Sequence, residues 1–405
     1  MFIAKRFNQK ILKCLSVAFF VLTLIVYPAI LKPDVPFAQS SVEMSANAQT
    51  TSNTRDIKLE IAQAPPPPAS EEASEEKKDG VNFFKMAMGA VAGLVLFIYG
   101  VTKLSEGLED LGTDRMKSLL SKWTTNRFAG VLTGAVATTL LESSSVTIIM
   151  VIAMVSAGVL TFVQSLGVVL GSNIGTAVGA QIISLNIELY VPILMFAGLL
   201  LLFVGRTGTQ KNLGLILLGF GLMFYGLEAI DEAMKPFRNY QPFIDWMQTL
   251  GKNPLLGAIV GAIFTIIIQS SSATVAIVIT LASSGLISLP AGIAIMLGAE
   301  VGTCADTLVA TIGRGRPALR TGVFHLLFNL VSAILGILFA PLLVQLVLAI
   351  SGGAGVGRQI ANAQIIFNMI GVVVVIAFLP VIAQLLERLI PDAREERPLR
   401  TETVV

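Results

Sequence analysis

The sequence predicts an all-α polytopic membrane protein built from two inverted repeats, each containing a re-entrant, Ser-rich helical hairpin. Three observations support this fold class. The chain is 54% hydrophobic and only 13% charged, which is typical of an integral membrane protein. A Ser-rich stretch occurs twice, 127 residues apart, at Ser143–Ser145 and Ser270–Ser272. The distribution of basic residues between the apolar segments indicates that the two copies have opposite orientations.

The N-terminal region has the layout of a secretory leader followed by a tail. A basic segment (residues 5–13) precedes an apolar run, and Ala38 offers a small residue for cleavage. We expect residues 1–38 to be a signal peptide; an uncleaved anchor helix is the alternative, because the apolar run is long. Residues 39–80 are polar, Pro-rich and acidic, so we expect them to form a disordered extracytoplasmic tail.

The two Ser-rich copies belong to a longer duplication. The offset of 127 residues holds without a gap for about fifty residues, and a Tyr-Gly pair marks the opening helix of each half. Matched positions include Gly158/Gly285, Gly171/Gly298, Gly175/Gly302 and Thr176/Thr303. We therefore divide the chain into repeat 1 (81–210), repeat 2 (211–320), two additional transmembrane helices (321–390) and a cytoplasmic tail (391–405).

Each Ser-rich copy lies at the centre of an apolar segment of about thirty residues, at 128–158 and 254–286. A helix needs only about twenty residues to cross a bilayer. Each segment is therefore either one long tilted helix or a re-entrant hairpin that enters and leaves on the same side.

The loop charges favour the hairpins. With hairpins, thirteen basic residues fall in cytoplasmic loops and four in extracytoplasmic loops, as the positive-inside rule expects. Full crossings would move the basic loop 206–211 to the outside. The hairpin interpretation leaves three crossings between equivalent points of the repeats, and this odd number inverts one repeat relative to the other. We expect a multi-pass inner (plasma) membrane protein with an extracytoplasmic N-terminal tail and a cytoplasmic C-terminus.

The polar residues of the two hairpins are the first candidate binding residues. Buried hydroxyls and non-helical backbone are costly inside a membrane unless they line a wet cavity or bind a ligand. Hydroxyl and carbonyl oxygens suit a small hard cation, whereas N–H groups at a helix N-terminus suit an anion. The alternative is that the serines only mediate helix packing. The candidates are Glu142, Ser143, Ser144, Ser145 and Thr147, with their counterparts Gln269, Ser270, Ser271, Ser272 and Thr274.

A second matched pair of motifs is Gly171–Thr176 (Gly-Ser-Asn-Ile-Gly-Thr) and Gly298–Thr303 (Gly-Ala-Glu-Val-Gly-Thr). Glycines four residues apart with polar residues between them indicate a broken or closely approached helix. Close helix packing would explain the glycines but not the polar residues. An intramembrane acid follows the second motif, and we expect it to take part in ion coupling. These candidates are Asn173, Thr176, Glu300, Thr303 and Asp306.

Two further polar pairs, His325 with Asn329 and Gln364 with Asn368, have the four-residue spacing of one helical face. They either line the pathway or form hydrogen bonds between helices.

The absence of basic residues restricts how an anion could be bound. No Lys or Arg occurs at 128–205 or 253–313. Cotransported cations, helix dipoles and hydroxyls would have to neutralise an anion there. The pattern favours cation-coupled uptake of an anion. No nucleophile–base set, phosphate-binding loop or nucleic-acid motif is present in the sequence. We therefore expect no enzymatic activity, no nucleic-acid partner and no cofactor besides a coupling ion.

The motif Gln269–Thr274 (Gln-Ser-Ser-Ser-Ala-Thr) matches the duplicated Gln-Ser-Ser-Ser motif of the sodium–phosphate cotransporter family, and Gly171–Thr176 looks like that family's second motif. The chain resembles this family over residues 83–390. The resemblance implies Na⁺-driven import of inorganic phosphate by alternating access, with the two hairpins meeting at the membrane centre. The implied Na⁺ ligands are Ser143, Ser144, Gln269, Ser270, Ser271, Thr176 and Thr303.

The sequence departs from the family pattern at Glu142, which replaces the first glutamine. A carboxylate there could bind Na⁺, carry a proton or repel phosphate. An H⁺-coupled symporter, a symporter of another anion, and a non-transporting receptor or assembly subunit therefore stay open, as does a homodimer. The chain ends soon after Arg388, so we expect it to lack the C-terminal regulatory domain of some bacterial relatives.

Overall fold

The structure, a computed structural model, describes residues 83–185 and 187–392. The expected signal peptide, the expected N-terminal tail and residues 393–405 lie outside the described residues. These described residues form fourteen α-helices and two short 3₁₀ helices, Glu188–Tyr190 and Lys235–Asn239, and contain no strand. The α-helices are α1 Phe83–Trp123, α2 Arg127–Leu141, α3 Ser144–Ser156, α4 Phe162–Ile183, α5 Val191–Val204, α6 Gly208–Met234, α7 Gln241–Lys252, α8 Pro254–Ile268, α9 Ser271–Ser283, α10 Leu289–Gly302, α11 Cys304–Val309, α12 Arg316–Leu338, α13 Ala340–Ser351 and α14 Val356–Leu389.

The opening helices of the two repeats, α1 and α6, pack against each other through glycines. A Cβ atom added to Gly93 would lie 2.8 Å from the carbonyl oxygen of Gly226, and one added to Gly100 would lie 2.7 Å from that of Gly219. The helices are antiparallel, because moving forward along α1 from Gly93 to Gly100 moves the contact backward along α6 from Gly226 to Gly219. Gly93 corresponds to Gly219 and Gly100 to Gly226 in the repeat. The two contacts are therefore related by a local two-fold axis, which confirms that the repeats are inverted.

Each Ser-rich segment is a helical hairpin, formed by α2 and α3 in repeat 1 and by α8 and α9 in repeat 2. The hydroxyl of Thr138 on α2 donates a hydrogen bond of 3.0 Å to the hydroxyl of Thr147 on α3. Nine residues of continuous helix would separate these positions by about 13 Å. The chain must therefore reverse between them, and the equivalent bond from Thr265 to Thr274 measures 2.8 Å in repeat 2. The predicted hairpins are confirmed.

The helix that supports each hairpin approaches it very closely. A Cβ atom at Gly171 on α4 would lie 2.0 Å from the carbonyl oxygen of Val131, and one at Gly298 on α10 would lie 1.8 Å from that of Ala258. Only glycine allows this backbone contact, so the expectation of a closely approached helix is correct in both repeats. A break occurs only in repeat 2, where α10 ends at Gly302; in repeat 1 the motif lies inside the continuous helix α4.

Among the described residues, six helical segments are long and apolar enough to cross a membrane: α1 (over Phe83–Gly112), α4, α6 (extended to Asn239), α10 with α11, α12 and α14. A seventh span results if α7 and α8, which meet at an angle of 106°, are counted as one broken span. The chain is thus an all-α, multi-pass membrane protein. Its orientation in the bilayer stays a prediction.

Three segments differ in detail from the sequence prediction. The apolar stretch 189–205, which the loop-charge count takes as a crossing, forms the short helix α5 of 14 residues. The first of the two helices expected in 321–390 is divided at Phe339 into α12 and α13. The expected extracytoplasmic loop between α6 and α8 contains the amphipathic helix α7, whose Phe243, Met247 and Leu250 are buried. These three apolar side chains follow a helical spacing that the surrounding polar residues conceal in the sequence.

The last long helix, α14, connects the two repeats. Its Arg358 donates a hydrogen bond of 3.0 Å to the hydroxyl of Ser184, at the end of α4 in repeat 1. Six residues later, Gln364 donates to the carboxylate of Glu300 on α10 in repeat 2, over 2.8 Å. The segment after repeat 2 therefore forms part of the core between the repeats.

Candidate functional site

The two hairpin tips have the same backbone geometry. The residue that ends the first arm adopts the left-handed conformation in each case, with φ 51° and ψ 24° at Glu142 and φ 61° and ψ 31° at Gln269. They are the only non-glycine residues with positive φ in the described part of the chain. This conformation is unfavourable for residues with a side chain and often occurs at functional sites. It turns the chain so that the next residue can begin a second helix.

Ser143 and Ser270 begin the second arms as N-cap residues. The hydroxyl of Ser143 accepts a hydrogen bond of 3.2 Å from the N–H of Val146, and that of Ser270 accepts one of 3.1 Å from the N–H of Ala273. The first N–H groups of a helix have no acceptor inside the helix, and they carry partial positive charge. Each tip therefore presents the start of a 13-residue helix together with serine hydroxyls, a combination that favours anions.

A pair of threonines closes each hairpin behind its tip; we call each pair a threonine clamp. In repeat 1, Thr138 donates to Thr147, which in turn donates to the carbonyl oxygen of Ser143 over 3.1 Å. In repeat 2, Thr265 and Thr274 make the same chain of bonds to the carbonyl oxygen of Ser270, again with 3.1 Å for the second bond.

The first member of each clamp, Thr138 or Thr265, was not among the sequence candidates. The signal was available, since both are threonines and they are 127 residues apart, as the serines are.

The two repeats meet beside the first tip. The hydroxyl of Ser145 lies 3.3 Å from the hydroxyl of Thr303, which ends the Gly-rich motif of repeat 2. The counterpart of Thr303 in repeat 1, Thr176, instead donates to the carbonyl oxygen of Ser172 in its own helix over 3.1 Å. The structure thus brings the first serine triplet and the second Gly-rich motif together, and this contact is asymmetric between the repeats.

The sequence-predicted residues differ in accessibility. Gln269 is exposed on the protein surface, whereas Glu142 is only partly exposed. The partly exposed residues also include Ser143, Ser145, Ser270, Ser272 and Asp306. The buried residues are Ser144, Thr147, Asn173, Thr176, Ser271, Thr274, Glu300 and Thr303. The hydroxyls on the outer side of each tip are thus the ones that a ligand can reach in this conformation.

The carboxylates near the tips are arranged differently in the two repeats. A Cβ atom at Gly179 on α4 would lie 2.8 Å from Oε2 of Glu142, so the Glu142 side chain occupies the space that this glycine leaves. The residue equivalent to Gly179 in repeat 2 is Asp306, and the residue equivalent to Glu142 is Gln269. Each repeat therefore has one acid in this pair of positions: Glu142 at the tip in repeat 1, and Asp306 on α11, directly after the supporting helix, in repeat 2.

Asn173 and Glu300 occupy equivalent positions but make different contacts. The amide of Asn173 donates to the carbonyl oxygen of Val169 in its own helix over 2.9 Å. The carboxylate of Glu300 accepts from Gln364, and from Asn368 over 3.2 Å, both on α14. The structure does not bring Asn173 and Glu300 into one cluster.

The buried histidine joins two helices. Nδ1 of His325 on α12 lies 2.8 Å from the hydroxyl of Thr307 on α11, and both side chains are fully buried. Of the two roles left open for this residue, the contact supports hydrogen bonding between helices.

Comparisons with known proteins agree with this geometry. A family model described as Na⁺/Pi-cotransporter matches residues 96–232 and 239–389, well over half of the chain. The uncharacterized protein YqeW of Bacillus subtilis is 28% identical over 242 residues, which are 60% of this chain and 78% of that protein. No solved structure matches the chain significantly.

Other relatives match over smaller shares of their length. The "Putative inorganic phosphate export protein YjbB" of Escherichia coli K12 is 28% identical over 256 residues, 63% of this chain and 47% of that protein. The human "Sodium-dependent phosphate transport protein 2B" is 29% identical over 136 residues, 31% of this chain and 19% of that protein. The chain thus spans about half the length of YjbB. The family match, the paired serine tips and the inverted repeats lead to one conclusion: the chain belongs to the Na⁺/Pi-cotransporter family of membrane transport proteins.

Proposed function

We propose that this protein imports inorganic phosphate together with Na⁺ by alternating access, and that the ligands bind at the two serine tips. The observation that carries the proposal is the paired geometry of Ser143 and Ser270. Each caps a helix whose N-terminus opens at a hairpin tip. Two helix N-termini related by a local two-fold axis would contribute partial positive charge and N–H donors to one oxyanion.

Phosphate would need additional positive charge at this site. Apart from Arg127, the first residue of α2, the hairpins and their supporting helices contain no Lys or Arg. Arg127 and the arginines of neighbouring segments have protein partners. Arg127 donates to the carbonyl oxygen of Ile376 over 3.1 Å, Arg320 bonds to Asp392 over 2.5 Å, and Arg358 bonds to Ser184. Cations that enter with the anion would supply the missing charge, since an unneutralised anion is costly within a membrane.

The hydroxyls near the contact between the repeats are suitable cation ligands. Ser145 and Thr303 place two hydroxyl oxygens 3.3 Å apart, and hard cations such as Na⁺ prefer oxygen ligands. We assign Na⁺ binding to Ser143, Ser144, Gln269, Ser270, Ser271, Thr176 and Thr303, with Asp306 contributing charge. Glu142 is a second candidate for carrying the coupling ion, because its carboxylate lies at the tip; it favours H⁺ coupling as the alternative mechanism.

The direction of transport has two candidates. Import is expected from an inward Na⁺ gradient, but the name of the relative, "Putative inorganic phosphate export protein YjbB", points to export. Proteoliposomes containing the purified full chain test both directions. Uptake and efflux of ³²P-labelled phosphate are measured with Na⁺, choline and pH gradients. We expect uptake that requires an inward Na⁺ gradient, because no residue of the tips can neutralise phosphate alone.

The matched variants are Ser143→Ala and Ser270→Ala, with Ser121→Ala as the control. Ser121 is exposed and bonds only to the carbonyl oxygen of Ser118 at the end of α1. We expect both tip variants to lose most phosphate flux while the control retains it. Phosphate flux that does not depend on Na⁺ but depends on a pH gradient would identify H⁺ coupling instead. Unchanged flux in both tip variants, or no flux in the parent protein, would favour a receptor or assembly subunit.

A further inference from the structure

A buried polar cluster lies apart from the serine tips, between α10 and α14. Its centre is Glu300, which is only 1% exposed. One carboxylate oxygen, Oε1, accepts hydrogen bonds from Nε2 of Gln364 (2.8 Å) and from Nδ2 of Asn368 (3.2 Å). Oε1 of Glu300 has two lone pairs and accepts both bonds, so both amide groups direct their nitrogen atoms to this carboxyl group.

Three buried amide oxygens have no hydrogen-bond partners, and two of them belong to the residues that bond to Glu300. Oε1 of Gln364, Oδ1 of Asn368 and Oδ1 of Asn329 are the only fully buried, unpartnered side-chain polar atoms among the residues that the structure describes. The first two share a carbon atom with the nitrogens that bond to Glu300, so they lie within reach of the same carboxylate. An unpartnered buried acceptor is unusual in a native protein and calls for a missing donor or ion.

The third oxygen comes from the neighbouring helix α12. The amide nitrogen of Asn329 donates to the carbonyl oxygen of His325 over 3.1 Å. The same carbonyl oxygen lies 3.7 Å from the thiol of Cys304, and this thiol lies 3.5 Å from the carbonyl oxygen of Glu300, one turn earlier. Asn329 on α12 is thus linked through His325 and Cys304 to the backbone of α10 at Glu300.

A cation satisfies this cluster better than a proton does. A proton on Glu300 could serve only one of the acceptors and would leave the others unpaired. A monovalent cation would balance the single negative charge and bind several oxygens at once. Helix α10 ends at Gly302, two residues after Glu300. The C-terminal end of a helix carries partial negative charge, and interrupted helices in transporters use such ends to bind Na⁺.

We propose that Glu300, Gln364 and Asn368 bind a Na⁺ ion, with the Asn329 amide oxygen as a further ligand. This site differs from the serine tips but adjoins them, because Thr303, three residues after Glu300, contacts Ser145. The bound ion would hold α14 against repeat 2. The identification of Na⁺ rests on the proposed function, whereas the oxygen cluster itself does not.

The test is equilibrium binding of ²²Na⁺ to the purified full chain in a phosphate-free choline buffer, measured by scintillation proximity. The variants are Glu300→Gln, which keeps an oxygen acceptor for both amides, and Asn368→Leu. The control is Asn362→Leu on the same helix, because Asn362 bonds to Gln181 and Ser351 rather than to Glu300. We expect Glu300→Gln and Asn368→Leu to lose one bound ion per chain or more than about tenfold in affinity, while the control binds as the parent does.

The failure of this proposal is distinguishable from failure of the proposed function. The double variant Ser143→Ala/Ser270→Ala should retain the ion at Glu300 even when phosphate flux is lost. Parental ²²Na⁺ binding in Glu300→Gln and Asn368→Leu would overturn the proposed site, and so would the absence of Na⁺ binding in the parent. A second readout is thermal stability: Na⁺ should raise the Tm of the parent but not of monodisperse Glu300→Gln. A Tm that responds to pH and not to Na⁺ would identify a proton site and overturn the proposal.

Discussion

The threonine clamps give a quantitative test of how the hairpins are held. Thr265→Val removes the fully buried hydroxyl that donates to Thr274 over 2.8 Å. Valine has nearly the same shape, so the change removes a hydrogen bond with little effect on packing. Thr274 keeps its own bond to the carbonyl oxygen of Ser270. The variant therefore loses one neutral hydrogen bond and leaves no buried donor unpaired.

The expected loss in the free energy of unfolding follows from the number of hydrogen bonds that each variant removes. A neutral hydrogen bond contributes about 1 kcal/mol net in soluble proteins, and about 0.6 kcal/mol on average between membrane helices. We expect Thr265→Val to lower the free energy of unfolding by about 1 kcal/mol. Thr274→Val removes both bonds, so about 2 kcal/mol is expected. The double variant should cost no more than Thr274→Val alone, because the two residues share one bond. Thr138→Val should match Thr265→Val, since its clamp has the same geometry.

The assay is unfolding of the purified protein in mixed micelles, followed by the fluorescence of Trp123 and Trp246. The control is Thr102→Val, because this hydroxyl bonds only to the carbonyl oxygen of Ile98 in its own helix; a change within about 0.5 kcal/mol is expected. The reasoning is refuted if Thr274→Val costs no more than Thr102→Val, or if the effects of Thr265→Val and Thr274→Val are additive in the double variant.

Two further predictions concern glycines at close contacts. Gly100→Leu should prevent the repeats from packing, because even a Cβ would lie 2.7 Å from the carbonyl oxygen of Gly219; size-exclusion chromatography should show aggregation, and a monodisperse, active variant would contradict the inverted interface. Gly179→Ala would place a methyl group 2.8 Å from Oε2 of Glu142 and should change the Na⁺ dependence of phosphate uptake severalfold. Gly208→Ala, with no atom within 4 Å of the added Cβ, is the control for both, and an unchanged Gly179→Ala profile would exclude Glu142 from coupling.

Much of the site could be predicted because its residues occur twice, at equivalent positions of the two repeats. Ser143 and Ser270 were identifiable as helix starts, since each follows a polar residue at the centre of an apolar segment too long for one span. The structure assigns both as N-cap residues with nearly identical backbone angles. The inversion was predictable from loop charge, and the antiparallel contact of α1 with α6 confirms it.

Other parts of the site have no local signal. Glu300 bonds to Gln364 and Asn368, which lie 64 and 68 positions later in the chain. No pattern in the sequence around Glu300 favours these partners over Asn173 or the serine tips. The break of the Gly-rich motif in repeat 2, and its continuity in repeat 1, also depend on what packs against each helix. Sequence spacing cannot reveal these choices because both motifs contain the same glycines.

By itself, the sequence determined the membrane-spanning character, the two hairpins, the opposed repeats and the serine pairs, because hydrophobic length, loop charge and an unbroken repeat offset are all linear properties of the chain. Only the tertiary structure decided which oxygens meet. It brought Ser145 to Thr303, closed each hairpin with a threonine clamp, and surrounded Glu300 with amides from α14. The physical reason is that a buried polar group takes its partner from whichever helix packs against it.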